Sequence, residues 1–526
     1  MKSMRGCASC AADTASVSPS APKLVLCVID AMAPAMLERA IAAGTAPVLE
    51  RLVAGGRYVP DCVAAFPSVT PVCAASIVTG ASQDEHEIPG MNWYHREEHR
   101  YVEYGSSFRA AQRFGIARQL TDTVYNMNGA HLSAQTPTVF ETLDDADVRT
   151  AGTTYLMYRG RHRHEPQRDT ALTRVASALI RHAVMGPREL FYADIFASRQ
   201  TGCRSGLGMP GVRDRHSGCV STYMVEHDLF DFLLLSLPDN DWYSHKHGPD
   251  AQVQSIGQAD LQLARVMNAA GGVEEFLAEH AVIAMADHSQ APVTATIALQ
   301  DELAELGVLG PARPARSSEV GMGGADSQPR IAVCPSQRGA MVYALHESER
   351  DAMRASVVTR ALAIDGIDLV LWLERDAHDA PREGVIASPR HGELRFAPAV
   401  AGGGSVIDPR GLSWSVEGAL AAIDGTVEDG RLLTPAYPDA LSRSWTALTC
   451  RTSGEVLLSA APGFEFVDWG RQAHLGGGSH GSLHACDSLG ALVLSGVALP
   501  EPEPAQWAIR DVAPLVLRHF GLDRSS

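Results

Sequence analysis

The most constraining feature of this sequence is a set of short, uninterrupted apolar runs that stop at side chains able to bind metals. Residues 23–29 (KLVLCVI) stop at Asp30, and residues 281–286 (AVIAMA) stop at Asp287 and His288. Continuous apolar runs are typical of strands buried on both faces, as in parallel sheets covered by helices. A helical pattern follows the first run. We therefore predict an α/β fold with a largely parallel central sheet.

Parallel α/β sheets carry their functional sites at the carboxyl ends of strands. A third run, residues 232–237 (FLLLSL), is followed by Asp241 and His245, four residues apart. If that stretch is helical, the two side chains share one face and offer an oxygen and a nitrogen ligand to one zinc-like ion. Three neighbours are alternative ligands: Asp239, His247 and Asp250.

Thr70 lies in residues 66–71 (FPSVTP), ahead of a stretch of small residues that ends at Gly80. The pattern predicts a helix start at Thr70, where the helix dipole and free N–H groups favour a phosphoryl oxygen. Two interpretations remain open. Thr70 is an N-cap residue followed by proline, or its hydroxyl belongs to a catalytic site.

A late glycine segment, residues 476–481 (GGGSHG), brings back one more histidine, which a purely structural turn would not need. The adjacent Asp and His after the run 281–286 can both reach a metal, although a hydrogen-bonded structural histidine is an equal alternative there. Together, seven side chains suggest two divalent metal ions beside a threonine hydroxyl, an arrangement suited to attack at phosphorus. They are Asp30, Thr70, Asp241, His245, Asp287, His288 and His480.

Composition limits the partners. The 526 residues, 45% hydrophobic and 20% charged, suffice for one large domain plus an insert. The formal net charge of -17 argues against nucleic-acid polymers, because a phosphate backbone needs a basic face. We expect a small phosphate ester as substrate, and the sequence leaves the oligomeric state open.

The chain shows no signal peptide and no apolar stretch of membrane-spanning length, so we predict a cytoplasmic protein without membrane contact. Its ten cysteines are expected to be buried thiols rather than a disulfide framework. Examples are Cys27, Cys62, Cys73 and Cys334. Cys7 and Cys10 form a C-x-x-C without a partner pair, which does not favour a zinc or redox role.

The motifs and their order resemble the nucleotide pyrophosphatase/phosphodiesterase family, or type I phosphodiesterases, of the alkaline phosphatase superfamily. The resemblance extends from about Leu24 to Leu494, with gaps. It is carried by an opening strand ending in Asp, a Phe-Pro-Ser-x-Thr motif, an Asp-x-x-x-His-x-x-Gly-Pro segment, an Asp-His pair and a late Gly-x-His-Gly. These are residues 28–30, 66–70, 241–249, 287–288 and 478–481.

The resemblance implies an alkaline-phosphatase-like three-layer sandwich, with a largely parallel central sheet flanked by helices and a smaller α+β cap. It selects Asp241 over Asp239. It also implies one zinc ion held by Asp30, Thr70, Asp287 and His288, and a second held by Asp241, His245 and His480. Manganese is the alternative metal, because these ligands fit both ions.

The resemblance further implies a phosphate-contacting asparagine after the nucleophile helix, and Asn92 occupies that position. The alternative is a plain turn residue, since Pro89 and Gly90 already mark a turn. We expect Thr70 to attack phosphorus in line, while Asn92 and the Thr70 backbone N–H stabilise the oxyanion.

The predicted organisation is a flexible N-terminal tail, a catalytic core in two pieces, and an inserted α+β cap. The bounds are 1–22 for the tail, 23–300 and 445–522 for the core, and 301–444 for the cap. Strand patterns at 339–345 and 367–373 flank a charged helical pattern at 347–363. The cap either shapes the substrate mouth or is a structural insert without ligand contact.

Several function classes remain. The first is a phosphodiesterase or nucleotide pyrophosphatase that forms a phospho-threonine intermediate. The alternatives are a phosphomonoesterase, a phosphonate hydrolase, or a non-catalytic metal-binding homologue. Residues 71–73 (PVC) and Asn240 depart from the family pattern, which leaves substrate choice open. Residues 206–211 match G-x-G-x-x-G, but without a preceding strand they predict no dinucleotide cofactor.

Overall fold

The computed structural model describes residues 21–167, 180–311, 328–399 and 403–522. The predicted tail, apart from residues 21 and 22, and the Cys7/Cys10 pair lie outside the described residues. The strands are, in chain order, β1 (Lys23–Ile29), β2 (Arg57–Val63), β3 (Asn92–His95), β4 (Arg100–Glu103), β5 (Thr150–Gly152), β6 (His162–His164), β7 (Val184–Gly186), β8 (Glu189–Tyr192), β9 (Phe196–Ala197), β10 (Phe232–Leu237), β11 (His280–Met285), β12 (Ala291–Ile297), β13 (Ile331–Ser336), β14 (Gly339–Ala344), β15 (Ile367–Arg375), β16 (Pro381–Ser388), β17 (Gly392–Pro398), β18 (Val406–Ile407), β19 (Ser413–Gly418), β20 (Thr426–Glu428), β21 (Arg431–Leu433), β22 (Val456–Ala460), β23 (Gly463–Phe466), β24 (Gly478–Ser479) and β25 (Leu489–Ser495).

The α-helices are α1 (Pro34–Ala42), α2 (Pro47–Gly55), α3 (Thr70–Thr79), α4 (Gln83–His86), α5 (Phe108–Phe114), α6 (Ile116–Thr121), α7 (Val139–Asp145), α8 (Arg213–Glu226), α9 (Asp239–His247), α10 (Gln252–Asn268), α11 (Val273–Glu279), α12 (Leu299–Glu302), α13 (Arg350–Ala361), α14 (Ala440–Thr449), α15 (Ala485–Ser488) and α16 (Val512–His519). A π-helical segment covers Asp122–His131. Among the described helices, none combines the length and the apolar character that a membrane crossing requires.

The central sheet has eight strands in the order β2-β25-β11-β1-β10-β5-β8-β9. Strands β11, β1, β10, β5 and β8 run parallel, whereas β25, β2 and β9 pair antiparallel with their neighbours. The predicted α/β fold with helices flanking a large sheet is therefore confirmed, and the sheet is mixed rather than purely parallel.

Strand β1 explains why the apolar runs are continuous. Leu24, Leu26 and Val28 pack into one hydrophobic core. Its alternate residues, among them Val25 and Cys27, pack into a second core on the other face. Because successive side chains of a strand point to opposite faces, a strand covered on both sides must be apolar throughout. The sheet is thus the middle of three layers.

A second, ten-stranded sheet has the order β13-β14-β22-β15-β16-β17-β19-β18-β21-β20. The strands predicted at 339–345 and 367–373 are present as β14 and β15, and the helix predicted between them is α13. Strand β22 pairs with both β14 and β15, although its residues follow position 444. One strand of this sheet, β22, thus lies outside the proposed cap. The domain bounds stay a prediction.

Cys27, Cys62, Cys73 and Cys334 are buried thiols, as expected. The expectation is wrong for Cys203 and Cys219, which form a disulfide across 16 positions of sequence. This bond ties the segment after β9 to α8. Sequence spacing alone contains no signal for it, because the pairing depends on where the intervening loop turns back onto the helix.

Candidate metal centre and active site

The site lies at the carboxyl edge of the central sheet. Asp30 directly follows β1, and one residue separates Asp287 from the end of β11. Helix α9 begins soon after β10. These three strands are parallel neighbours, so their carboxyl ends meet at one edge. Asn240 on α9 donates a hydrogen bond from Nδ2 to the backbone oxygen of Asp30 at 2.7 Å, which links two of the three loops.

The first group of potential ligands comprises Asp30, Asp287 and His288, whose ligand atoms all lie within 4.8 Å of one another. His288 Nε2 is 3.7 Å from Asp30 Oδ1 and 3.4 Å from Asp287 Oδ2. The other Asp287 oxygen accepts hydrogen bonds from the backbone N–H groups of Ala31 and His288, both at 3.1 Å. These bonds fix the carboxylate with one oxygen directed toward the group.

The second group comprises Asp241, His245 and His480, again within 4.8 Å. The conditional prediction of a helix is met, because α9 places Asp241 and His245 one turn apart, with His245 Nε2 at 3.3 Å from Asp241 Oδ2. His480 follows β24 and brings its Nε2 to 3.5 Å from Asp241 Oδ1. The late glycine segment therefore closes the site from the far end of the chain.

The three alternative ligands have other partners. Asp239 Oδ1 accepts hydrogen bonds from Arg213 and from the backbone N–H of Gly211, both at 2.9 Å. The His247 ring lies 4.5 Å from the Tyr243 ring, and Asp250 pairs with Arg39. The choice of Asp241 over Asp239 agrees with this geometry.

Backbone contacts determine which nitrogen of each histidine is free. The Nδ1 atoms of His245, His288 and His480 lie 2.7, 3.1 and 2.7 Å from the carbonyl oxygens of Gly478, Ser289 and Ser68. A carbonyl only accepts, so each Nδ1 carries the proton and each Nε2 keeps a lone pair in the neutral ring. All three Nε2 atoms face the clustered carboxylates, and metal-binding histidines usually donate their other ring N–H to a carbonyl or carboxylate in this way.

Unpaired buried atoms show that the residues fit a bound cation. Asp30 Oδ1, Asp287 Oδ2 and His480 Nε2 are buried and find no hydrogen-bond partner within the described part of the chain. Such atoms are costly unless a partner compensates them. Burial raises the pKa of Asp30 well above its usual range, and the nearby Asp287 and Asp241 raise it further. Divalent cations would offset this crowding of carboxylates.

The donor types and the contact between the two groups agree with that fit. The first group offers two carboxylates and one histidine, and the second offers one carboxylate and two histidines. Both sets of donors suit zinc or manganese. The rings of His288 and His480 are stacked with centroids 3.7 Å apart, so the two groups adjoin. Burial lowers the pKa of His480 well below its usual range, and His288 lowers it further. A neutral His480 keeps its ligand lone pair.

Thr70 stands beside the first group. It is the first residue of α3, and its hydroxyl oxygen lies 3.3 Å from His288 Nε2. The N-cap position belongs to Val69, and no side-chain cap hydrogen bond forms there. The N-cap interpretation of Thr70 is therefore wrong. The hydroxyl is directed to the clustered ligands, while the next two amides of the helix, those of Val72 and Cys73, donate to the Val69 backbone oxygen at 3.0 Å.

The two groups open onto a cavity of about 600 Å³. Gln337, in the turn between β13 and β14, contributes to the wall, so the segment after residue 300 reaches the cavity. Sequence patterns did not single out several further lining residues, because each is an ordinary polar or aromatic residue outside any motif. They include Tyr104, Tyr155, Arg213, Trp242, Lys246 and His474.

Sequence patterns also did not predict two contacts that residues outside the second group make with its proposed ligands. Gln290 donates from Nε2 to Asp241 Oδ1 at 2.5 Å and to the Asp241 backbone oxygen at 3.1 Å. The His474 ring stacks on His245 with centroids 4.0 Å apart, and its Nδ1 lies 2.7 Å from the buried Glu465 carboxylate. Both contacts orient proposed ligands from outside the cluster.

Asn92 is not brought to the cluster. It is buried at the start of β3, where its Nδ2 donates to the Val102 backbone oxygen at 2.9 Å and its backbone N–H to Ser336 Oγ at 3.3 Å. It is not among the residues that line the cavity. Its role as a phosphate contact stays a prediction.

Asp, His and Thr side chains thus gather at the carboxyl edge of a mixed α/β sheet flanked by helices. The family model of type I phosphodiesterases and nucleotide pyrophosphatases matches residues 24–386. The chain therefore belongs to that family, whose members are phosphoric ester hydrolases.

Solved structures share the fold over nearly the whole chain. Murine ectonucleotide pyrophosphatase/phosphodiesterase 5 is 11% identical with a TM-score of 0.55, covering 96% of this chain and 97% of the murine one. The human counterpart is 12% identical with a TM-score of 0.53 and 96% coverage of both chains. Phosphonoacetate hydrolase from Sinorhizobium meliloti 1021, in complex with phosphonoformate, is 17% identical with a TM-score of 0.53, covering 96% of this chain and 98% of that one. No curated protein sequence matches the chain.

Proposed function

We propose that this protein hydrolyses small phosphate esters as a phosphodiesterase or nucleotide pyrophosphatase, with Thr70 as the nucleophile at a site for two divalent metal ions. The observation that carries the proposal is the position of the Thr70 hydroxyl, 3.3 Å from His288 Nε2 and beside two adjoining ligand groups. Family membership supports the reaction class, and the ligand geometry supports the residue roles.

Asp30, Asp287 and His288, with the Thr70 hydroxyl, would hold one ion. Asp241, His245 and His480 would hold the other. When bound, two such cations would lower the pKa of the Thr70 hydroxyl and neutralise charge on the phosphoryl oxygens. Zinc is the first proposal for both positions and manganese the alternative, because histidine and carboxylate ligands suit either ion.

The chain's own residues carry the bond changes. Thr70 Oγ1 attacks phosphorus in line, and the bond to the leaving oxygen breaks on the opposite side. At the start of α3 the backbone N–H of Thr70 adjoins this position and favours the phosphoryl oxygens, because Pro71 has no N–H and those of Val72 and Cys73 donate to the Val69 backbone oxygen. Water then hydrolyses the phospho-threonine and restores Thr70. Asn92 would join this donor only after its amide leaves the Val102 carbonyl.

A side-by-side assay tests the proposal. Metal-loaded protein is given matched nitrophenyl substrates, one a phosphodiester and one a phosphomonoester, together with phosphonoacetate, the substrate named for one relative of similar fold. Preference for the diester supports the proposal. Preference for the monoester or the phosphonate selects the corresponding alternative, and silence on all three favours a non-catalytic metal-binding protein.

A further inference from the structure

Lysine is rare in this chain, and one lysine lines the catalytic cavity. The 44 basic residues include only three lysines, Lys2, Lys23 and Lys246, and all the others are arginine. Lys2 lies outside the described residues, and Lys23 at the start of β1 pairs with Asp228. Lys246 is on α9, directly after His245, and forms part of the cavity wall.

Among the described residues, the Lys246 ammonium group has no acidic partner. Its Nζ lies 5.4 Å from the centre of the Trp242 ring, one helical turn away, within the range of a cation–π contact. No carboxylate of the described ranges comes within 4.0 Å of Nζ to form a salt bridge. The side chain is exposed, so its charge is available to a molecule that enters the cavity.

Lys246 differs from the arginine and aspartate side chains of the cavity wall. Arg213 is neutralised by Asp239, whose Oδ1 lies 2.9 Å from the guanidinium Nε. The carboxylates that line the described part of the wall are Asp30 and Asp241, both proposed metal ligands. Within the part of the chain that the structure describes, Lys246 is therefore an uncompensated positive charge in the cavity, in a chain whose net charge is -17.

The position of the leaving group in the cavity follows from the in-line geometry of the displacement. In-line displacement puts the attacking and leaving oxygens on opposite sides of phosphorus. Thr70 contacts the first ligand group through His288. The leaving group then points toward the second group, and α9 carries both that group's Asp241 and His245 and the neighbouring Lys246.

We propose that Lys246 is a specificity-determining residue that binds a negatively charged group on the leaving part of the substrate. The substrate class is thereby narrowed to phosphate esters whose leaving group bears a carboxylate or a second phosphate. A compact ammonium with three donors suits either anion. This inference rests on the proposed function, because it requires hydrolysis at the Thr70 site.

The test uses two phosphodiesters that differ in the charge of one aryl group, phenyl 4-carboxyphenyl phosphate and its methyl carboxylate ester. For Lys246→Met, kcat/KM should fall at least about tenfold on the carboxylate substrate and less than about twofold on the methyl ester. Lys246→Arg should restore most of the selectivity. Comparing each variant with wild type on both substrates cancels the difference in leaving-group reactivity. A third diester with a phosphonate replacing the carboxylate shows which anion is preferred.

Lys23→Met serves as the matched control, because it removes the other described lysine far from the cavity. It should leave the ratio of the two kcat/KM values unchanged. Equal loss on both substrates in Lys246→Met, or no loss on either, overturns the inference while the proposed function stands. If the wild type hydrolyses neither ester, the proposed function fails and the inference fails with it.

A labelling experiment gives a readout independent of turnover. With so few lysines, acetylation by an N-hydroxysuccinimide ester can be mapped to each position by peptide mass spectrometry. The non-hydrolysable 4-carboxybenzylphosphonate should protect Lys246 and leave Lys23 reactive, whereas benzylphosphonate should protect Lys246 much less. Equal protection by the two compounds would contradict a carboxylate contact at Lys246.

Discussion

The hydroxyl oxygen of Thr70 lies 3.3 Å from Nε2 of His288, although 218 positions separate the two residues. Thr70 begins a buried helix, and His288 follows the parallel strand β11. His288 Nδ1 faces the Ser289 carbonyl, so the lone pair of Nε2 is directed toward the hydroxyl and the two carboxylates of its group. This contact joins the proposed nucleophile to the proposed metal ligands.

Metal content should depend on the two ligand groups separately. Elemental analysis of the purified protein is expected to give about two zinc-type ions per chain. His288→Ala should lose the ion of the first group, His245→Ala the ion of the second, and the double variant both. Loss of both ions from either single variant would contradict two separate positions, as would fewer than one ion in the wild type.

Gln290 is expected to act on metal affinity through Asp241. Its Nε2 donates to Asp241 Oδ1 at 2.5 Å, so Gln290→Leu frees the carboxylate to rotate. Loss of such an orienting contact costs about 10- to 100-fold in metal affinity. Competition with a metal-binding dye measures it, and Gln258→Leu, on the exposed face of α10, is the control. Unchanged affinity in Gln290→Leu would show that this contact is only structural.

Stability should fall in mild acid because of His86. Burial lowers the pKa of its imidazole to about 3, from 6.5. Its Nδ1 accepts a hydrogen bond from the Ile88 N–H, and its Nε2 lies 3.2 Å from Ser76 Oγ, so the folded ring is neutral. The unfolded state binds the proton first, so stability present above pH 6.5 is lost as pH falls toward 3, by about 2 kcal/mol at pH 5.

Urea unfolding at pH 7 and pH 5 measures this dependence. His86→Gln removes the titrating imidazole. The difference in unfolding free energy between wild type and variant should therefore shrink by about 2 kcal/mol from pH 7 to pH 5. A constant difference would mean that His86 does not remain neutral in the folded protein.

The Cys203–Cys219 disulfide predicts a defined peptide map. Digestion of alkylated but unreduced protein should yield one linked peptide pair containing these two residues, while Cys27 and Cys73 carry the alkyl group. Such bonds persist in oxidising compartments, which argues against the predicted cytoplasmic location. Recovery of both cysteines as alkylated thiols from freshly extracted cells would instead support that location.

Local patterns predicted much of the site. The apolar runs before Asp30 and Asp287 identify buried parallel strands, because only such strands lack polar alternation. The four-residue spacing of Asp241 and His245 predicts a shared helix face, which α9 has. These inferences needed only neighbouring residues and the rule that sites lie at the carboxyl edge.

Sequence patterns did not predict the contacts between segments that are distant along the chain. The Gln290–Asp241 hydrogen bond and the stacking of His474 on His245 depend on how loops pack, and neither pair has a characteristic spacing. For Asn92, the family motif and the local packing indicate different partners. A motif position suggested a phosphate contact, but strand pairing between β3 and β4 directs its amide to Val102.

The most direct test of the central claim is the turnover of Thr70→Ala with its metal content measured on the same sample. We expect both ions to be retained in Thr70→Ala and kcat to fall by at least about 10³-fold, whereas Thr70→Ser should keep substantial activity because it retains a hydroxyl. Turnover close to that of the wild type in metal-loaded Thr70→Ala would contradict the assignment of Thr70 as nucleophile.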